Sequence, residues 1–304
     1  MELFFANGVF IETSANATNT GSADQGIRFS DRALQYGDGV FETMRIVEGE
    51  IPMWEFHQQR LRWAQTALKL PLEEFLSVWE EFKQNHLSSI QNACAKLVIS
   101  RGIGPRGYKA PSPTHINWWL QVTELPVAKK VGGYRLTLCQ HALSRQPSLA
   151  GLKHLNRLDQ VMARSEWHEH DGFDEGIMFN LDGDVIEGTM SNIFWLQGDQ
   201  LYTPDLSQEG VDGCVRRWII EHVENNPLIN LPAVIIEKDT KLDRLLTADA
   251  VFLTNSLMGI KSVAEIDNQA IRQNAAANKR VAHLAALFNA QFASLTINTQ
   301  GVSG

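Results

Sequence analysis

Apolar and polar residues alternate along MELFFANGVFIE, and the alternation turns over at Asn7-Gly8. An Asn-Gly pair between alternating runs predicts a hairpin, so residues 2–12 predict a short strand pair. VFETMRIV (40–47) predicts a further strand, with β-branched residues at its ends. From Trp54 to Leu70 the spacing changes to that of a helix, with Phe56, Leu61, Ala64 and Leu68 on one stripe. A second helix is predicted from Pro71 to about His86, then buried strands over 95–100 and 116–124. YRLTLCQ (134–140) resumes the alternation. Beyond Lys153, the residues Leu155, Leu158, Val161 and Met162 mark a helix face that should pack on a core, with a glycine cap at Asp171-Gly172.

Residues 174–204 predict a strand meander: EGIMFN, a turn at Asp182-Gly183, VIEGTMSNIFWLQ as one strand, a turn at Gly198-Asp199, and LYTP. A helix (215 to about 225), a strand (233–237), a short helix (242–246), a strand (250–254) and a last helix (about 275–288) complete the chain. Strands and helices are mixed without a repeat, which predicts an α+β protein. LPVAKKVGG breaks the pattern at 125–133. That places a linker at 126–133 between a first domain, 1–125, and a second, 134–304. The polar stretch 13–25 predicts a surface loop.

The 304 residues suit two domains. A net charge of -8 argues against a nucleic-acid partner, which calls for a basic face. Three scattered cysteines, Cys94, Cys139 and Cys214, make no disulfide framework or zinc site and suit a reducing cytoplasm. No secretion signal is expected from the first ten residues, and no apolar run approaches the ~20 residues of a membrane span.

Lys153, in SLAGLKHLNRLDQ, offers an amine that can condense with an aldehyde, and the leucines around it predict a setting with less water. It is otherwise one lysine among many. Glu187 stands inside an apolar strand, where a carboxylate needs a partner: water at an edge, or a heterocyclic nitrogen. Two stretches could cradle a phosphate: EGVDGCVRRW, a Gly-rich turn opening a helix near Gly213, and FLTNSLMG, a strand ending in Thr254, Asn255 and Ser256. Neither fits a nucleotide-binding motif. His168, Glu169 and His170 do not share a helix face and lack a third ligand, so no metal site is expected. RGIGPRGYKA (101–110) holds two arginines whose forks suit carboxylates.

Six segments in this order resemble the fold-type IV family of pyridoxal-phosphate enzymes: SDRALQYGDGVFET (30–43), FHQQRL (56–61), KHLNRL (153–158), VIEGTMSNIFW (185–195), GVDGCVRR (210–217) and FLTNSLMGIKSV (252–263). That family includes branched-chain and D-amino-acid aminotransferases and 4-amino-4-deoxychorismate lyase. RGIGPRGY and LAGLKHLNRL resemble the lyase branch most. The resemblance implies a two-domain α+β fold with pyridoxal 5'-phosphate at the domain interface, in a cytoplasmic homodimer that acts on a small dicarboxylate away from membranes. It implies Lys153 as the Schiff-base lysine, Glu187 as partner of the pyridine nitrogen, and Arg60 on the phosphate with Gly213, Cys214, Val215 and Ser256. Tyr36 and Asn192 are implied near the cofactor, and Arg106 or Arg157 near substrate carboxylates. The implied reaction converts 4-amino-4-deoxychorismate to 4-aminobenzoate and pyruvate. Transamination of D-amino or branched-chain acids is the alternative, and a cofactor-binding scaffold without activity is a third reading. The chain departs from the family in the length of loop 13–25, and in Asn255-Ser256 where the transaminases commonly carry Gly-Thr.

Overall fold

The computed structural model describes residues 2–11, 27–126, 132–225, 233–272 and 274–298. The polar stretch 13–25 and most of the expected linker lie outside them. The chain divides into two compact units, 1–127 with 152–156 and 294–304, and 128–151 with 157–293. The short return of 152–156 to the first unit has no signature in the sequence.

The first unit contains β1 (Leu3–Ala6), β2 (Val9–Ile11), α1 (Arg32–Tyr36), β3 (Gly39–Val47), α2 (Trp54–Leu68), α3 (Glu73–His86), β4 (Asn92–Ser100) and β5 (Asn117–Thr123). Asn7 and Gly8 both have positive φ, as a tight hairpin turn demands. The strands form one antiparallel sheet in the order β2-β1-β5-β4-β3. Phe75, Trp79 and Phe82 of α3 pack on Trp118 of β5, with ring centroids 5.0 to 6.2 Å apart. Burying each such ring contributes roughly 1.5–3 kcal/mol. The five-residue α1 is too short to show a periodicity. It exists because Asp31 Oδ1 accepts the Ala33 N–H at 2.8 Å and Gly37, at φ 62°, closes the other end.

The second unit contains β6 (Tyr134–Leu138), α4 (Leu158–Arg164), β7 (Glu175–Phe179), β8 (Val185–Gly188), β9 (Asn192–Gln197), β10 (Gln200–Pro204), α5 (Cys214–Asn225), β11 (Ile235–Glu237), α6 (Leu242–Leu246), β12 (Ala250–Asn255), β13 (Gly259–Ile266), β14 (Gln269–Ala270) and the start of α7 (Ala275–Asn298). Its mixed sheet runs β11-β10-β9-β12-β13-β6-β7-β8, with β14 on β13. The sheet curls until β8 lies against β9 and β10. Leu136, Ile177, Ile193, Trp195, Val251 and Leu253 fill the core, and β8 is buried on both faces.

Three expectations change here. The helix after Lys153 is short, Leu158–Arg164, and a separate 3₁₀ turn spans Glu169–Asp171. Its predicted core face is open: Leu158 is 70% exposed, and Val161 and Met162 are exposed with it, while Ala163 is buried. Residues 185–197 form two strands, because the Glu175 carboxylate captures the segment between them. It accepts from the N–H groups of Thr189 and Met190 (3.1 and 3.2 Å) and from the Ser191 hydroxyl (2.9 Å). β13 was not anticipated.

Candidate active site

Lys153 lies on a short extension of the first unit's sheet. The Phe41 N–H of β3 donates to the Lys153 carbonyl at 2.9 Å, and the Leu155 N–H donates to the Gly39 carbonyl at 3.0 Å. His154 faces Val40 as an antiparallel bridge. The lysine thus sits beside an isolated bridge to β3, and both its flanks are fixed by backbone bonds. Leu152 is fully buried and Lys153 is half-buried, with Nζ 4.4 Å from the centroid of Phe41. An aromatic face under an amine removes water and still tolerates the cation.

β3 places Glu42 on its core face beside Met44 and Ile46, where a carboxylate must be paired. The partners come from α2. Arg60 grips Glu42 with Nε on Oε1 at 2.8 Å and Nη2 on Oε2 at 2.5 Å, and His57 Nδ1 lies 2.7 Å from Oε2. Burial pushes Glu42 upward, but the charges of Arg60 and His57 outweigh it and hold the carboxyl at about 2. Arg60 therefore already serves one anion, and its expected phosphate role requires the guanidinium to serve two. Glu42 and His57 were not singled out from the sequence. The signal was present in an acid at a core-facing strand position and in His57 and Arg60 three apart on one helix face.

The second unit gathers the other expected residues around the turn 210–213. Glu187 Oε2 accepts the Val211 N–H at 2.8 Å. Asn192 holds the same turn with both ends of its amide: Nδ2 donates to the Val211 carbonyl at 2.8 Å and Oδ1 accepts the Gly213 N–H at 3.1 Å. Asn192 is thus a bracket for the turn, and the Gly213 N–H is spent on it. Cys214 and Val215 open α5, where first-turn N–H groups lie beyond the reach of the helix's own carbonyls. Thr254 pairs across the sheet with Asn192, and among the described residues its buried hydroxyl has no hydrogen-bond partner. Asn255 caps the next turn, accepting from Leu257 and Met258 and donating to Met190, with Ser256 inside that turn. An orphaned hydroxyl one strand from a helix N-terminus is a donor set that suits a phosphate group.

A Cβ on Gly213 would stand 2.1 Å from Asn192 Oδ1. Gly213→Ala should therefore expel the Asn192 amide and loosen the turn. Cofactor affinity should fall about 10- to 100-fold with the fold retained, read by titrating the apoprotein with pyridoxal phosphate.

Tyr36 is committed to the loop 103–110: its hydroxyl accepts the Gly107 N–H at 3.2 Å and its ring meets Tyr108 edge-on. Arg106 is exposed on that loop. Arg157 is half-buried at the N-terminus of α4. His168 and His170 stack on each other in the exposed 3₁₀ turn. No described helix is long and apolar enough to cross a membrane.

The chain is similar to the aminodeoxychorismate lyase of Vibrio harveyi, 34% identical over 79% of this chain and 87% of that one. Among solved structures it is similar to 4-amino-4-deoxychorismate lyase from Pseudomonas aeruginosa, with a TM-score of 0.81 and 32% identity over 93% of this chain and 98% of that one. The branched-chain aminotransferase of the thermophilic archaeon Thermoproteus uzoniensis, solved with norvaline, shares the fold at a TM-score of 0.77 and 20% identity, over 95% of this chain and 95% of that one. The profile of the amino-transferase class IV family spans residues 39–266, from β3 through the lysine segment and the 210–213 turn to the end of β13. The chain belongs to the amino-transferase class IV family.

Proposed function

We propose that this protein is a pyridoxal-phosphate-dependent lyase that converts 4-amino-4-deoxychorismate to 4-aminobenzoate and pyruvate. The observation that carries the reading is similarity above 30% to aminodeoxychorismate lyases over most of both chains. When bound, pyridoxal phosphate supplies an electron sink for the carbon that bears the substrate nitrogen. The residues do the rest. Lys153 would hold the cofactor through Nζ, and its backbone, pinned to β3, aims the amine. The Nζ amine would be the base that takes the proton from the ring carbon bearing the substrate nitrogen. Loss of the enolpyruvyl group then aromatises the ring, which supplies driving force that the protein need not provide. Glu187, oriented by the Val211 N–H, would keep the pyridine nitrogen protonated. The first turn of α5, with Thr254 and Ser256, would hold the phosphate. Arg106 or Arg157 meets the substrate carboxylates.

The same proton abstraction would serve a transaminase, which releases a keto acid instead. Incubating the protein with enzymatically generated 4-amino-4-deoxychorismate separates the two. Equal release of 4-aminobenzoate and pyruvate is expected. Release of neither, with turnover of D-amino or branched-chain acids, would replace the lyase by the transaminase.

The protein acts as a homodimer in the cytoplasm on this reading. Apolar side chains left in water support the dimer: Leu158, Val161 and Met162 on α4, and Phe29, 81% exposed, with Leu34 in the first unit. Free thiols at Cys94, Cys139 and Cys214 suit a reducing compartment.

A further inference from the structure

Arg32 is 4% exposed, yet its guanidinium is spent almost wholly on one surface loop. Nη1 donates to the carbonyls of Gly107 and Lys109 at 3.1 and 3.3 Å, and Nη2 donates to the carbonyl of Tyr108 at 3.0 Å. Nε donates to Asp38 Oδ2 at 2.8 Å. Three successive carbonyls can converge on one cation only if the backbone reverses its ordinary alternation. Gly107 permits this at φ 98°, a value that favours glycine. The preceding peptide is tied as well, since the Gly107 N–H donates to the Tyr36 hydroxyl. The Tyr36 ring lies 4.8 Å from the Arg32 guanidinium carbon. Asp38 is itself steadied by Arg101 Nε at 2.8 Å.

A buried guanidinium is costly unless every donor is used, and here the donors are used to shape a loop. What that loop carries is polar and outward: Arg106 and Lys109 are exposed, and Tyr108 is 87% exposed. Two cations on a backbone with few alternatives form a carboxylate-reading surface whose ordering cost is met in advance.

We propose that Arg32 is a positioning residue that moulds the loop 103–110 so that Arg106 and Lys109 stand ready for the substrate's carboxylates. The proposal rests on the dicarboxylate reading of the substrate. It assigns Arg32 no contact with substrate or cofactor. A lysine at this position could reach Asp38 but could not span three carbonyls, so the fork and not the charge is what matters.

The test compares the cofactor-loaded parent with Arg32→Met and Arg32→Lys by two readouts. Limited trypsin digestion, followed by mass spectrometry, reports cleavage after Arg106 and Lys109 without any substrate. Steady-state kinetics report KM and kcat separately. Both variants should be nicked about 10-fold faster and show KM raised about 10-fold, with kcat within about 3-fold and cofactor absorbance unchanged. Unchanged nicking overturns the proposal, as does faster nicking with unchanged KM, or a lysine that restores both. If Arg32→Met fails to fold, Gly104→Ala serves, because its Cβ would stand 2.9 Å from Arg32 Cδ and should move both readouts in the same direction. A parent protein that forms no 4-aminobenzoate would sink the lyase reading. Nicking would still judge Arg32, and the KM comparison would then use the amino acid that the protein does turn over.

Discussion

Lys153→Ala should lower product release by at least ~10³-fold, the loss expected when a nucleophile and a base are the same amine. It should also abolish covalent retention of pyridoxal phosphate, read as the missing cofactor mass on the lysine peptide after borohydride reduction. The fold should survive. What pins this segment to β3 is backbone, the Phe41 to Lys153 and Leu155 to Gly39 bonds, and neither involves the side chain. Lys153→Arg is the stricter control. It keeps a cation above Phe41 and cannot hold the aldehyde, so it should be equally inactive with unchanged thermal stability. Turnover within tenfold of the parent in either variant would remove Lys153 from the chemistry.

Glu42→Gln should cost about 3–5 kcal/mol of stability at neutral pH, since it takes the gripped anion away from a buried Arg60. Chemical denaturation measures this directly. The parent should show the same interaction as acid sensitivity. The carboxyl of Glu42 is held at about 2 in the fold against an ordinary 4.5. A depressed acid contributes its stability fully above the unfolded value and loses it as pH falls through the folded value. The loss should therefore develop between pH 4.5 and 2, and integrate to about 3 kcal/mol. The variant should lack that part of the acid slope. Because Arg60 also stands in line for the phosphate, cofactor affinity should fall together with stability. A variant that loses neither would mean the pair is spectator to both.

Much of the fold was legible locally. Asn7-Gly8 specifies its turn by backbone conformation, the stripe from Phe56 to Leu68 specifies a helix by its spacing, and the turns at Asp182-Gly183 and Gly198-Asp199 bound the meander strands. Each of these signals is complete within a short stretch of chain. The break between β8 and β9 was not, because the carboxylate that causes it belongs to Glu175, in the preceding strand β7. The exposed face of α4 misled for a related reason. Apolar periodicity reports that a face is to be covered, and it does not report by what.

The candidate site divides in the same way. Lys153, Glu187, Arg60 and the segment opening α5 were identifiable as residue types in an ordered set of motifs, since chemistry requires an amine, a carboxylate and anion-binding backbone whatever the fold. Their partners were not. Glu42 meets Arg60 across 18 residues, Asn192 meets Gly213 across 21, and Arg32 meets Tyr108 across 76. By itself the sequence determined most of the longer elements, the turns and the inventory of reactive groups, because these follow from propensity and spacing along the chain. Only the tertiary structure decided that Lys153 sits on a sheet edge, that Asn192 serves a turn and that Arg32 serves a loop. A buried charge or amide must find its partner wherever packing brings one, and that distance is not written in the spacing of neighbours.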